Sequence, residues 1–236
     1  ARAYLTEFDA TEEDFAKVAV KNHQNGLLNP KAHLQKDITI DDVMSSAVVA
    51  SPLKLYDCCP FSDGASSVVL CSEKFAKAHG GDYVEVIGSG RGGSPAALQG
   101  REHMTTIPST KIAAKAAYDM AGITAKDVDF AEVHDCFTIA EVVDTEDLGF
   151  FGKGEGIQAI REDRTKLNSD ISINPSGGLK SKGHPIGATG VGQVVEVYDQ
   201  LTGNAGARTV KDAKIGLTHN FGATGASCAV HVFQSV

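Results

Sequence analysis

The sequence predicts an α/β fold, a sheet with helices on both faces. Strand-like apolar runs alternate with stretches of helical spacing from residue 82 onward. Of 236 residues, 42% are hydrophobic and 22% charged, the ordinary globular balance. Polar, Gly-rich loops follow several of the strand-like runs, and open α/β sheets place their chemistry at such strand ends. The length suits one large domain or one and a half smaller ones.

Taken in order, the opening ARAYLTEFDA reads as the middle of something, so the chain is expected to enter mid-architecture as a fragment or processed chain. Thr11, with Asp14 three residues on, is a capping signal for a helix over 11–27, with Phe15, Val18 and Ala19 at helical spacing and Gly26 as its stop. Asn29-Pro30 breaks the chain. A short helix over 39–47 has Asp41 and Asp42 in its first turn, where the helix dipole favours carboxylates. Residues 60–72, PFSDGASSVVLCS, form a loop feeding a strand, and 68–71 are apolar on both faces, as in a buried strand. A helix over 74–80 leads to a boundary at Gly80-Gly81, dividing the chain into units 1–81 and 82–236. The second unit reads as strand 83–88, a Gly-rich loop, helix 110–121, strand 129–134, helix 138–148 and a polar excursion over 153–170. Strand 171–174, helix 187–202 and strands 214–219 and 226–233 complete it. The alternation argues for a mostly parallel sheet.

A net charge of −8 disfavours a dominant nucleic-acid or anionic-membrane surface, while leaving room for a local basic patch. No apolar run approaches spanning length and no signal-like segment opens the chain. Five cysteines, an odd number lying mostly in apolar runs, favour free thiols in a reducing compartment, hence the cytoplasm.

Residues 131–137, AEVHDCF, deliver His134 and Cys136 to a strand tip. If strand geometry persists, both side chains share a face. Zinc would use such ligands but needs about four, and the remaining candidates, His184 and His219, are single residues on separate loops, so no metal is assigned. A buried cysteine beside a satisfied histidine is the bland alternative. In 174–190, NPSGGLKSKGHPIGATG, glycines at 177, 178, 183, 187 and 190 let backbone approach a ligand around His184, and the helix that follows turns its positive end there. His219-Asn220-Phe221-Gly222 reads as a third loop able to supply amide donors. Residues 88–93, GSGRGG, match GxGxxG, but Pro95 and Gly100 interrupt the helix that should follow, so a turn bordering a ligand is the better reading. Cys58 and Cys59 are assigned to packing, as are Cys71 and Cys228.

Together HDCF, NPSGGLKSKGHPIGATG and HNFGATGA, with PFSDGASSVVL before them, resemble the thiolase superfamily, and more narrowly its sterol-carrier-protein-type and archaeal acetyl-CoA acetyltransferase branch. The resemblance implies a thiolase-type mixed sheet with helices on both faces: the tail of an N-terminal domain over 1–81 and a complete C-terminal domain over 82–236. It implies Cys136 as the acid/base for the α-proton and His184 as activator of a nucleophilic cysteine. It implies His134 as donor to the enolate oxygen, and the Gly222 amide, shaped by Asn220, as donor to the tetrahedral intermediate. Coenzyme A thioesters would be substrates, with no covalently bound cofactor, and Ser89, Gly90 and Gly183 are candidate contacts.

One departure is large: the family's Cys-x-Ser nucleophile motif does not occur, Cys71 being followed directly by Ser72. The expectation is a C-terminal portion or subunit interconverting two acetyl-CoA with acetoacetyl-CoA and CoA, with the nucleophile on an absent segment or partner chain carrying the N-terminal half. Association into an oligomer is expected. The archaeal resemblance adds a partner with a zinc ribbon and a nucleic-acid-type (OB) barrel, and a synthase that takes acetoacetyl-CoA. A retro-aldol lyase on a CoA thioester and a non-catalytic assembly subunit stay open as alternatives.

Overall fold

The computed structural model describes residues 1–236. In chain order the elements are α1 (Arg2–Glu7), α2 (Glu12–Leu27), α3 (Ile40–Ser45), β1 (Val48–Ala50), β2 (Leu53–Lys54), α4 (Glu73–His79), β3 (Val84–Gly93), α5 (Pro108–Ala121) and β4 (Phe130–Glu132). They continue as α6 (Thr138–Asp147), α7 (Gly156–Arg161), β5 (Ser172–Ile173), α8 (Gly178–Ser181), α9 (Thr189–Leu201), β6 (Ile215–Gly222) and β7 (Ser227–Ser235). Local chemistry explains several boundaries. Thr11 and Thr39 each close a capping box, the threonine hydroxyl accepting from the Asp14 or Asp42 amide while that aspartate accepts from the threonine amide. Pro108 takes the first turn of α5, where a missing N–H is harmless, and Gly122 ends it in the left-handed conformation at φ 69°.

The main sheet has the order β3-β7-β6-β4-β5. Only β4 pairs in parallel, with β5 and β6; β6–β7 and β3–β7 are antiparallel. The sheet is therefore mixed rather than mostly parallel, because the tight turn between β6 and β7 obliges those strands to run opposite ways. One face buries the main core, where Ala131, Val133, Leu217, Val230 and Val232 meet apolar residues of α5, α6 and α7. On the other face Phe130 and Phe233 pack with Val197 of α9. The alternation of Phe130 with Ala131 and of Phe233 with Val232 is the two-residue period of a strand.

Five further expectations are corrected. The GSGRGG stretch is not a loop: β3 runs through it to Gly93. Gly88, Gly90 and Gly92 face α5, where a methyl group would overlap the carbonyl oxygens of Ala117, Ala113 and Ser109, so the glycines let helix backbone lie on strand backbone. Residues 68–71 are not a buried strand; Val69 is 91% and Leu70 80% exposed, because nothing packs over them. The polar excursion contains α7, and the loop before His184 contains α8. Gly26 does not stop α2; it lies inside the helix, bare so that Ser181 of α8 can close on it.

Candidate active site

Strand β4 ends at Glu132, and the chain turns at once, the Asp135 amide donating to the Val133 carbonyl at 3.0 Å. Asn174 closes this turn from the next strand: its Oδ1 accepts from the Val133 amide at 2.9 Å and its Nδ2 donates to Glu141 at 2.8 Å. Its φ of 53° is left-handed, a conformation asparagine tolerates. Between the two candidate residues of HDCF, Asp135 points inward. Its carboxylate accepts from the amides of Leu179 (2.7 Å) and Lys180 (3.3 Å) at the start of α8 and from Asn22 Nδ2 (2.7 Å). One carboxylate thus fastens the His134–Cys136 turn to the loop that carries His184. Buried Glu141 braces the junction, accepting from Lys21 at 2.5 Å and Asn22 at 2.7 Å.

A third segment ties both loops. Cys58 forms an antiparallel bridge with Phe137, and the Cys59 amide donates to the Cys136 carbonyl at 3.0 Å. Lys180 Nζ donates to the Cys58 carbonyl at 2.6 Å. Phe61 bridges His184, whose amide donates to Ser62 Oγ at 3.1 Å. Residues 58–62 therefore brace the site, which the assignment of Cys58 and Cys59 to packing and of 60–62 to a loop feeding a strand did not foresee. Gly183, at φ 110°, lies close against Ser62 and His33.

The rings of His134 and His184 stand edge to face with centroids 5.1 Å apart, and Phe221 lies 4.5 Å from His134. His184 Nδ1 is 2.7 Å from Thr189 Oγ1, whose own proton goes to the Pro185 carbonyl at 3.0 Å. Thr189 must then accept, so the His184 proton sits on Nδ1 and the Nε2 lone pair is free to act as a base. Burial, with a smaller effect from Lys182, lowers the His184 pKa. Burial, then His184, pushes His134 down to about 3. Both imidazoles are thus neutral near pH 7, and His134 Nδ1 is buried without a partner. Cys136 is half-buried on the same turn; burial, then the charges of Asp144, Cys59 and Asp135, raise its pKa strongly and hold it as the thiol. A neutral His134 can donate a hydrogen bond to a developing oxyanion, and the high-pKa Cys136 thiol a proton to a carbanion.

His134 and His184 are thus brought together, with Cys136 on the turn of His134 and Gly183 on the loop of His184. Asn220 and Gly222 line a neighbouring cavity of about 510 Å³ together with Ile186, Gly187 and Arg91. Asn220 is anchored to α9 through Gln193 at 3.1 Å. The expected third loop is largely strand: His219 lies in β6, fully buried, and the turn comes only after Gly222. Ser89 and Gly90 sit in the middle of β3 rather than at a strand end, paired with His231 and Val230. The inward acids were missed because their residue type predicts exposure. The one available signal was that alternation in HDCF sends the middle residue to the other side. No group of three or more His, Cys, Asp or Glu side chains is arranged to hold a metal ion, and no helix is long and apolar enough to cross a membrane.

A family model described as thiolase C-terminal domain-like matches residues 90–235, and one for the thiolase N-terminal domain matches 1–74. The chain is 46% identical over 234 residues to the acetyl-CoA acetyltransferase of Methanothermobacter thermautotrophicus, covering 99% of this chain and 61% of that one. It is 37% identical over 230 residues to sterol carrier protein 2 of Bos taurus, covering 95% and 42%. The chain therefore spans less than two thirds of the length of these curated relatives. A solved structure titled Ltp2-ChsH2(DUF35) aldolase superposes with a TM-score of 0.89 at 24% identity, over 99% of this chain and 61% of that one. A monomeric SCP2-thiolase-like protein from Mycobacterium smegmatis superposes at 0.73 with 15% identity, over 98% and 49%. Both share the fold.

Proposed function

The chain belongs to the thiolase family, and from that premise we propose that it carries the enolate-handling residues of an acetyl-CoA C-acetyltransferase, which interconverts two acetyl-CoA with acetoacetyl-CoA and CoA. The observation that carries this reading is the meeting of His134 and His184, 5.1 Å apart, with Cys136 on the same turn as His134. In the condensing direction the Cys136 thiol gives its proton to the CoA thiolate released on acylation of the partner cysteine, and as the resulting thiolate it takes the α-proton of an acetyl thioester. Charge moves to the thioester oxygen, where the His134 imidazole donates a hydrogen bond; one such donor is worth about 3–4 kcal/mol of barrier. The carbanion attacks an acyl group held on a cysteine, and the new oxyanion is met by the Gly222 amide. His184 Nε2 accepts the proton of that cysteine when it is first acylated. In reverse, the Cys136 thiol protonates the leaving enolate.

The acylated cysteine belongs to further polypeptide bearing the family's Cys-x-Ser motif. Residues 68–71 support a partner there: they are apolar, make no strand, and border a groove of about 960 Å³ lined by Val84, Val86, Val194, Tyr198 and Phe233. An exposed apolar segment of that kind is an association surface. The coenzyme A thioester is substrate, with Gly183, Ser89 and Gly90 as contacts. A zinc-ribbon and OB-type partner and an acetoacetyl-CoA-using synthase follow from the archaeal likeness alone.

The test is to combine this chain with the polypeptide carrying the N-terminal half and measure CoA-dependent cleavage of acetoacetyl-CoA. Activity should need both parts and fall at least about a hundredfold in Cys136→Ala. Both parts folded and bound, with no cleavage, sinks the reading. Cleavage of a β-hydroxyacyl-CoA to an aldehyde and an acyl-CoA, insensitive to the added cysteine, would instead establish a retro-aldol lyase, which uses the same enolate donors.

A further inference from the structure

Asp144 lies two turns into α6 with its side chain fully buried, and neither carboxyl oxygen has a hydrogen-bond partner. Such a group in a well-packed protein calls for an explanation. The nearest polar atom on the facing strand is His219 Nδ1, 3.5 Å from Oδ2. That nitrogen also lies 3.4 Å from the backbone N–H of His134, while Nε2 is 2.9 Å from Thr110 Oγ1, itself 3.7 Å from Cys228 Sγ.

The neutral imidazole has one proton to place, and the two placements differ in consequence. With the proton on Nε2, His219 donates to Thr110, Thr110 donates to Cys228, and Nδ1 accepts from the His134 amide; nothing is then offered to Asp144, which suits a neutral acid. With the proton on Nδ1, His219 donates to an ionised Asp144 and Thr110 turns its hydroxyl to Nε2. The His134 amide then loses its acceptor. Ionising Asp144 therefore competes directly with the hydrogen bond that holds the His134–Cys136 turn.

We propose that Asp144 is a positioning residue of this site: through the tautomer of His219 it holds or releases the turn bearing His134 and Cys136. The groups facing it are Asp147 and Glu141 on its own helix, Asp135 and Cys136 on the turn, His219 on β6, and Lys153 beyond the helix; Lys111 of α5 acts on Asp147. Burial, with Asp147, Asp135 and Glu141, holds the Asp144 carboxyl well above the usual carboxylate range, and the Asp144 charge in turn raises Cys136. The meaning of Cys136 rests on the acetyltransferase reading; the buried pair does not.

The experiment follows the ring ¹⁵N shifts of His219 with pH in the full chain and in Asp144→Asn, which keeps the shape of the side chain and cannot ionise. In the parent the proton should pass from Nε2 to Nδ1 as pH rises; in Asp144→Asn the tautomer should stay the same throughout. An unchanged tautomer in the parent from about pH 5 to 10 overturns the proposal, and so does the same transition in a folded Asp144→Asn protein. Should that variant fail to fold, the parent titration decides alone. The readout does not use thioester turnover, so the acetyltransferase reading can fail without deciding this one.

Discussion

Replacing Asp135 by alanine removes the carboxylate that ties the His134–Cys136 turn to α8, leaving Glu132, which accepts from Ser176, as the remaining acidic link to the loop that contains α8. Three donors lose their acceptor: the Leu179 amide at 2.7 Å, the Lys180 amide at 3.3 Å and Asn22 Nδ2 at 2.7 Å. All are buried, and a buried donor left without a partner costs about 1–3 kcal/mol. The buried Lys180 ammonium also loses its nearest opposite charge, retaining the Cys58 carbonyl at 2.6 Å. Because the three donors belong to one network their costs do not simply add, and about 3–5 kcal/mol is the expected loss. For a chain of this length that is roughly 6–20 °C in Tm. Urea and thermal unfolding of Asp135→Ala measure it directly. Below about 1 kcal/mol, the Asp135 carboxylate would not be what ties the His134–Cys136 turn to α8, and that account of the site would be wrong.

Burial pushes His134 and His219 down to about 3 in the folded chain, from the usual 6.5. The unfolded state then binds more protons, so stability is complete above about pH 6.5 and lost as pH falls toward 3; at pH 5 the two together should cost about 4 kcal/mol, and a urea midpoint unchanged between pH 7 and 5 would refute this. Gly90→Ala should destabilise by about 1–3 kcal/mol, since its methyl group meets α5 backbone, whereas Gly187→Ala, with open space around it, should stay within about 0.5 kcal/mol; equal effects in denaturant titration would sink the packing argument. Val69→Glu and Leu70→Glu should leave unfolding of the chain within about 0.5 kcal/mol while weakening association by size-exclusion chromatography and in mixing with the N-terminal half; undiminished association would mean that the exposed segment is not the contact.

Much of the site was legible because its signals are local. HDCF places His134 and Cys136 two residues apart, and the glycines around His184 announce a loop whatever lies elsewhere. The capping boxes at Thr11 and Thr39 were readable for the same reason. What failed depended on neighbours distant in the chain. The glycines of β3 signal a loop until α5 is known to lie on them. Residues 68–71 read as buried because burial depends on a covering layer that sequence pattern takes for granted. Asp135, Glu141 and Asp144 were passed over because an acid is ordinarily a surface residue; Asp135 and Glu141 are tolerated inside by partners more than thirty residues away, and Asp144 lies inside without one. Cys58 and Cys59 act through their backbone, which residue identity does not reveal.

The bare face of β3 sets how far the helix above it can stray. With no side-chain layer between Gly88, Gly90, Gly92 and α5, there are no rotamers to absorb a displacement, so helix and strand travel as one piece. Thr110 rides on that helix and meets His219 across the sheet at 2.9 Å. The hydroxyl therefore inherits the stiffness of a β-ribbon, and it turns from acceptor to donor toward the imidazole by rotation about one bond, with no shift of the helix that carries it.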